Sequence, residues 1–410
     1  MHWRPYKTLF FVLTGLNSFA TTFFFNYLLF LFRNQFHFGR KETLALGAVH
    51  GLMYLFFSWR GGRLAQRLGY LPTLGLGLSI MLASLAAAGL FPAFAVQVGA
   101  LMVWTAGMSL TWPALEALVC DGEDERGLPR MVGIYNLTWA GTAAAGYFTG
   151  GAIFDYLGLA GLYGVPLAVL VLQISAVAWL MRRTAAASPH AQQDKPADPP
   201  PPPPAHAPEA AALAQPVPPE TFLKMAWLAN PFAYMAINTI VLIIPDLARH
   251  FQLTPTQSGI FCSVWFFMRL LAFAVLWKWT AWHYRFRWLA GSYVALVAGF
   301  LTLLLAPQLW LVIVAQILFG LATGLIYYSS LFYAMDVGEA SQGEHGGLHE
   351  AAIGLGICVG PALGAASLYA FPGSSHTGTY AVGLLLLTGL AGLLWLRWRP
   401  SRQAHPSRQS

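Results

Sequence analysis

The sequence predicts an all-α membrane protein: twelve transmembrane helices in two pseudo-symmetric six-helix bundles, with both termini cytoplasmic. Three observations carry this prediction. Of the 410 residues, 57% are hydrophobic and only 10% charged, against ~25% charged in a soluble domain. Apolar runs near the ~20 residues needed to cross a bilayer recur along the chain. One proline-rich stretch divides those runs into six and six. The composition excludes a water-soluble enzyme, a disordered chain and a nucleic-acid-binding protein. Cys120, Cys262 and Cys358 lie in or beside apolar runs and give neither a disulfide framework nor a metal spacing.

The expected spans are 8–32, 43–59, 72–91, 93–119, 131–154 and 161–181, then 222–245, 257–279, 288–306, 309–335, 346–370 and 378–396. The first is too long for a cleaved signal peptide, lacks a small-x-small cleavage site and leads straight into the second. Many of the others are Gly-rich or amphipathic, as expected where helices pack closely or line a cavity.

An even span count puts both termini on one side, and the cations say which. On that side fall Arg4 and Lys7, the Arg60–Arg67 group, Arg126 and Arg130, Arg182 to Lys224, Lys278 to Arg287, and the C-terminal arginines. The other side holds only Arg33, Arg40, Lys41 and Arg249, and Arg269 alone falls inside a span. Positive-inside bias therefore makes the termini cytoplasmic. The net charge of +7 reads as orientation rather than partner recognition.

Residues 182–220 carry twelve prolines, including Pro199–Pro204, and almost no large apolar side chain. Such a segment cannot bury enough surface to fold and is expected to form an extended cytoplasmic tether. The expected organisation is a bundle over 1–181, the linker 182–220, a second bundle over 221–399 and a tail over 400–410. The halves repeat: Asn136 precedes Gly146 by the same ten residues that separate Glu350 from Gly360. Parallel six-helix repeats are the build of transporters that bind solute near the membrane midplane.

Two motifs give the chain a resemblance to the major facilitator superfamily over its whole length. Gly62-Arg63-Leu64-Ala65-Gln66-Arg67-Leu68-Gly69 is similar to that family's motif in the cytoplasmic loop between spans 2 and 3. Gln66 stands where the family usually has Asp, which removes the acid from its cytoplasmic gating network. Gly356-x-x-x-Gly360-Pro361-x-x-Gly364 in span 11 resembles the family's antiporter motif, and Gly146 and Gly150 of span 5 match it without the proline. Small residues at this spacing also let helix backbones approach closely, whatever the family. Span 4 has Glu116 but no arginine, unlike drug/proton antiporters. The resemblance implies that spans 1, 4, 7 and 10 line a central cavity.

An ionisable group inside a span costs several kcal/mol and is a functional candidate by default. Arg269 lies deep in span 8, where Ser258, Cys262, Trp265 and Arg269 make one helical stripe. It is the candidate contact for an anionic group; an interhelical ion pair is the structural alternative. Glu350, one turn into span 11, is the candidate proton carrier with His349 as relay; stabilising its own helix start is the alternative. His345 and His349 are spaced for a metal but lack a third ligand. Candidate substrate-binding groups are Asn17, Asn26 and Tyr27 of span 1, Asn136 of span 5, and Tyr234 and Asn238 of span 7, beyond a kink expected at Pro231. Trp265 of span 8 and Tyr327 and Tyr328 of span 10 complete the set.

No nucleophile elbow, Walker loop or dinucleotide fingerprint occurs, so no catalytic, cofactor or metal site is expected. The expected function is secondary active transport, by alternating access and with proton coupling, of a small polar or amphipathic solute that includes anions. An uncoupled facilitator, or a membrane enzyme or sensor acting near His349-Glu350, remains as the alternative. The expected partners are a small-molecule substrate, a proton or other coupling ion and the lipid bilayer. No nucleic acid is expected, and the chain is read as a monomer in the cytoplasmic (inner) membrane.

Overall fold

The computed structural model describes residues 4–123, 127–187, 217–337 and 342–399. Most of the expected linker, the tail 400–410, Arg126 and the side chain of His345 lie outside the described residues. All regular structure described is helical. The first set is α1 (Lys7–Gln35), α2 (Arg40–Leu68), α3 (Tyr70–Leu90), α4 (Phe94–Cys120) and α5 (Leu128–Ala187). The second is α6 (Pro219–His250), α7 (Pro255–Phe261), α8 (Val264–Lys278), α9 (Phe286–Leu305), α10 (Leu309–Val337), α11 (Gln342–Ala370) and α12 (Thr377–Trp398). Among the described residues, ten helical stretches are long and apolar enough to cross a membrane.

Four elements differ from the sequence expectation. The 60-residue α5 is kinked at Gly158 (φ 55°, ψ −135°), a left-handed backbone that glycine alone adopts freely. At 1.5 Å per residue it is long enough to supply both expected spans, and it runs to Ala187, inside the expected linker. α2 continues to Leu68, through Gly61-Gly62 where Gly61 packs on Leu110 of α4, and ends at Gly69 (φ 89°). Gly62, Gln66 and Arg67 therefore sit in its last turns rather than in a loop. α6 is unbroken through Pro231 and Pro245, so the expected kink does not interrupt it.

The fourth difference is in the eighth expected span, which breaks between Phe261 and Val264. A broken helix in apolar surroundings must have its freed backbone groups satisfied. Gln316 of α10 does this, donating to the Phe261 carbonyl (2.8 Å) and accepting from the Trp265 N–H (3.4 Å).

The two sets meet along two seams, α2 on α11 and α5 on α7 and α8. Backbones touch directly at both. A Cβ on Gly51 would lie 2.4 Å from the Cys358 nitrogen, and one on Gly151 would lie 2.1 Å from the Pro255 carbonyl oxygen. The motif glycines other than Gly364 act within each set. A Cβ at Gly146 would meet the Phe19 carbonyl of α1 at 2.8 Å, and one at Gly360 the Met235 carbonyl of α6 at 2.6 Å. Gly150 faces Phe23 and Tyr27, Gly356 faces Pro231, and Gly364 faces Leu44 across the seam. Pro361 lies inside an unbroken α11.

Polar ties mark the two ends. Where α1 begins, Lys7 Nζ donates to the Val119 (2.5 Å) and Asp121 (2.6 Å) carbonyls and pairs with Glu123 (3.2 Å), capping the end of α4. At the other end Arg33 (2.9 Å) and Arg40 (2.7 Å) both bind Asp246 of α6, joining the two sets.

Candidate functional site

A cavity of about 210 Å³ lies between the two sets, walled by α1, α2, α4 and α5 on one side and α6, α8, α10 and α11 on the other. Of the sequence-predicted residues, Asn26, Tyr234, Asn238, Trp265, Arg269, Tyr327 and Glu350 line it.

Arg269 is its centre of charge. Its side chain is 4% exposed, and no carboxylate lies within ion-pair distance among the described residues. The guanidinium carbon stands 4.9 Å from the ring centres of Trp139 and Tyr327, 5.5 Å from Tyr234 and 5.6 Å from Phe273. Rings from four helices thus offer their negative faces to one cation. Nη2 donates to the Tyr234 hydroxyl (3.1 Å), while Nε has no partner. The helix break sets this position: Trp265, in the first turn of α8, lies beside Gln316, and Arg269 follows one turn later on the same buried face. Ser258 and Cys262, the rest of the predicted stripe, are buried but do not line the cavity.

Glu350, on α11 of the same set of helices, also lines the cavity and accepts a hydrogen bond from Tyr54 of α2 across the seam. Arg269 and Glu350 share the cavity without pairing. Glu116 of α4 lies in electrostatic range of Glu350 and of Tyr135. His349 packs 5.7 Å from the Tyr327 ring, and its Nε2 has no partner.

The remaining predicted residues are placed outside the cavity wall. Asn17 donates to Thr111 of α4 (3.1 Å), and Tyr27 donates to the Tyr147 carbonyl (2.6 Å). Asn136 accepts from Trp139 Nε1 (2.9 Å), which orients the indole against Arg269. Tyr328 packs near Phe273 and Trp282. Within the cavity, Asn238 donates to its own helix at the Tyr234 carbonyl, and Asn26 Oδ1 has no partner.

Sequence reasoning missed Trp139, Phe273, His50 and Tyr54. The last two are one helical turn apart on α2, a polar spacing visible in the sequence, but only the fold brings them opposite Arg269. Among the described residues no group of three or more His, Cys, Asp or Glu could hold a metal.

Solved structures of transporters share this architecture. The human organic anion transporter MFSD10 (TETRAN) aligns with a TM-score of 0.63 and 15% identity, over 97% of this chain and 99% of that one. A bacterial homologue of the human lysosomal transporter Spinster, inward-facing and occupied, aligns at 0.66 with 14% identity, over 97% of each chain. The nucleoside transporter NupG aligns at 0.67 with 13% identity, over 97% of this chain and all of that one, 100%. No curated protein matches the sequence significantly. The sequence profile of the Major Facilitator Superfamily matches residues 10–230 and 226–410, so this multi-pass membrane chain, with its cavity between two sets of helices, belongs to that family.

Proposed function

We propose that the protein is a proton-coupled secondary active transporter of a small amphipathic organic anion, working by alternating access across the cytoplasmic membrane. One observation carries this reading: a buried guanidinium without a carboxylate partner among the described residues, held by aromatic rings on the wall of an interior cavity. An uncompensated buried cation is costly, and a bound carboxylate, sulfonate or phosphate would compensate it. The surrounding rings favour an apolar or aromatic body on that anion. Glu350 would carry the proton, and its bond to Tyr54 would tie protonation to contact between the two sets. MFSD10, similar in fold, is an organic anion transporter, which agrees with this reading.

Twelve crossings follow if α2 and each arm of α5 span the bilayer, with bundles over 1–181 and 221–399 and a linker over 182–220. Arginines over tryptophans near helix ends support cytoplasmic termini. Arg63 stacks on Trp59 (5.5 Å), Arg183 on Trp179 (4.6 Å), Arg287 on Trp288 (5.7 Å) and Arg399 on Trp395 (4.8 Å). In this topology all four fall at the end where α1 begins, as anchors of a positive-inside interface do. The cations at the opposite end are partly neutralised, Arg33 and Arg40 by Asp246.

A thermal-shift screen of organic anions, cations and neutral metabolites on detergent-purified protein tests the proposal. A carboxylate should stabilise the wild type and not Arg269→Ala. Stabilisation confined to cationic or neutral compounds, and retained by Arg269→Ala, would exclude it.

A further inference from the structure

The cavity wall opposite Arg269 carries a buried histidine that neither the charge pattern nor the repeat motifs single out. His50 of α2 is 4% exposed and lines the cavity. Its ring stacks on Phe25 of α1, with centroids 4.6 Å apart and planes at 27°, so one face is fixed. Its Nδ1 lies 2.7 Å from the Thr105 hydroxyl of α4.

That contact determines the tautomer. The Thr105 hydroxyl has one proton, and it donates this to the Leu101 carbonyl at 2.7 Å. Toward His50 the hydroxyl can therefore only accept, so Nδ1 carries the hydrogen. The neutral ring then holds its lone pair on Nε2. Nε2 has no protein partner among the described residues, yet it is not among the buried polar atoms left without one. It therefore keeps accessible surface, and the space it meets is the cavity. Four features from three helices (Phe25, Thr105, the Leu101 carbonyl and the α2 backbone) hold one acceptor aimed at the solute.

We propose that His50 is a specificity-determining residue that accepts a hydrogen bond from the transported anion, so that the substrates are organic anions with a hydroxyl or N–H donor distant from the acidic group. The inference rests on the organic-anion reading and extends it. Arg269, from the second set of helices, takes the acidic end; His50, from the first, takes the donor end. A solute satisfying both touches both sets at once. A site built to accept such a bond rejects an analogue lacking the donor, because Nε2 is then cut off from water with no partner.

The test uses benzoate, 3-hydroxybenzoate and 4-hydroxybenzoate as probes, titrated calorimetrically into the full-length purified protein. At least one hydroxybenzoate should bind the wild type about 10-fold more tightly than benzoate, the increment of one buried hydrogen bond. In His50→Phe, which keeps a ring on Phe25 and removes the acceptor, that ratio should fall close to one. Thr105→Val, which releases Nδ1, should lower the ratio as well and carries the test if His50→Phe does not fold. Equal binding of all three probes by the wild type, or a hydroxyl preference that persists in both variants, would overturn the assignment. If none of the probes binds the wild type while another carboxylate stabilises it, the assignment of His50 fails alone; if no carboxylate does, the organic-anion reading fails and the role of His50 falls with it.

Discussion

Gln316 and Phe261, on different helices, are joined by a hydrogen bond of 2.8 Å at the point where α7 stops. The amide of Gln316 is 1% exposed and fills the gap left by the missing helical turn, with the Trp265 N–H on its oxygen. Gln316→Leu would leave a carbonyl and an N–H unsatisfied in apolar surroundings. Each such group costs ~1–3 kcal/mol, though interhelical bonds in membranes average nearer ~0.6 kcal/mol. The expected result is a lower melting temperature in detergent and weakened anion binding, because Trp265 and Arg269 take their positions from the repaired break. Unchanged binding would show that α8 holds Arg269 without Gln316.

Arg269→Lys separates charge from shape. Lysine keeps the cation but lacks the planar group that lies against the rings of Trp139 and Tyr327 and reaches the Tyr234 hydroxyl. Binding of a stabilising carboxylate should weaken at least about 10-fold, the worth of one charge-assisted hydrogen bond. Titration calorimetry of the wild type and variant reads this directly.

Glu350→Gln preserves the side-chain volume and removes the titrating group. In proteoliposomes, accumulation driven by a pH gradient should fall to equilibration, while exchange of solute for solute continues. Undiminished accumulation would assign coupling elsewhere, with Glu116, the neighbouring carboxylate on α4, as the next residue to replace.

Asp246→Asn addresses the ties at the opposite end. Arg33 and Arg40 both rest on this one carboxylate, and all three side chains are part-buried, 16%, 18% and 26% exposed. The loss should fall between the ~1 kcal/mol of a surface pair and the ~3–5 kcal/mol of a broken buried one. It should appear as a lower melting temperature and as faster alkylation of a cysteine introduced at the α2–α6 contact.

The long apolar helices were legible because hydropathy over ~20 residues is a local property. Arg269 and Glu350 stood out because charge inside an apolar run is visible without a fold. The helix break was not legible: Cys262 and Ser263 carry no Pro or Gly signal, and the residue that makes the break tolerable lies on α10. At Pro231, where a kink was legible, α6 stays continuous and packs against α11 at Gly356. His50 reads in sequence as one histidine in a Gly-rich apolar stretch. Its meaning depends on Thr105 of α4, a partner that no spacing rule relates to it.

The bare-backbone contacts of Gly51 with Cys358 and of Gly151 with Pro255 bear on how the proposed exchange can move. At neither place is there a side chain left to compress, so the two sets cannot draw closer there. Under the alternating access proposed, the two points would act as a fulcrum: tilting of the sets about the line joining them would narrow one mouth as it widened the other.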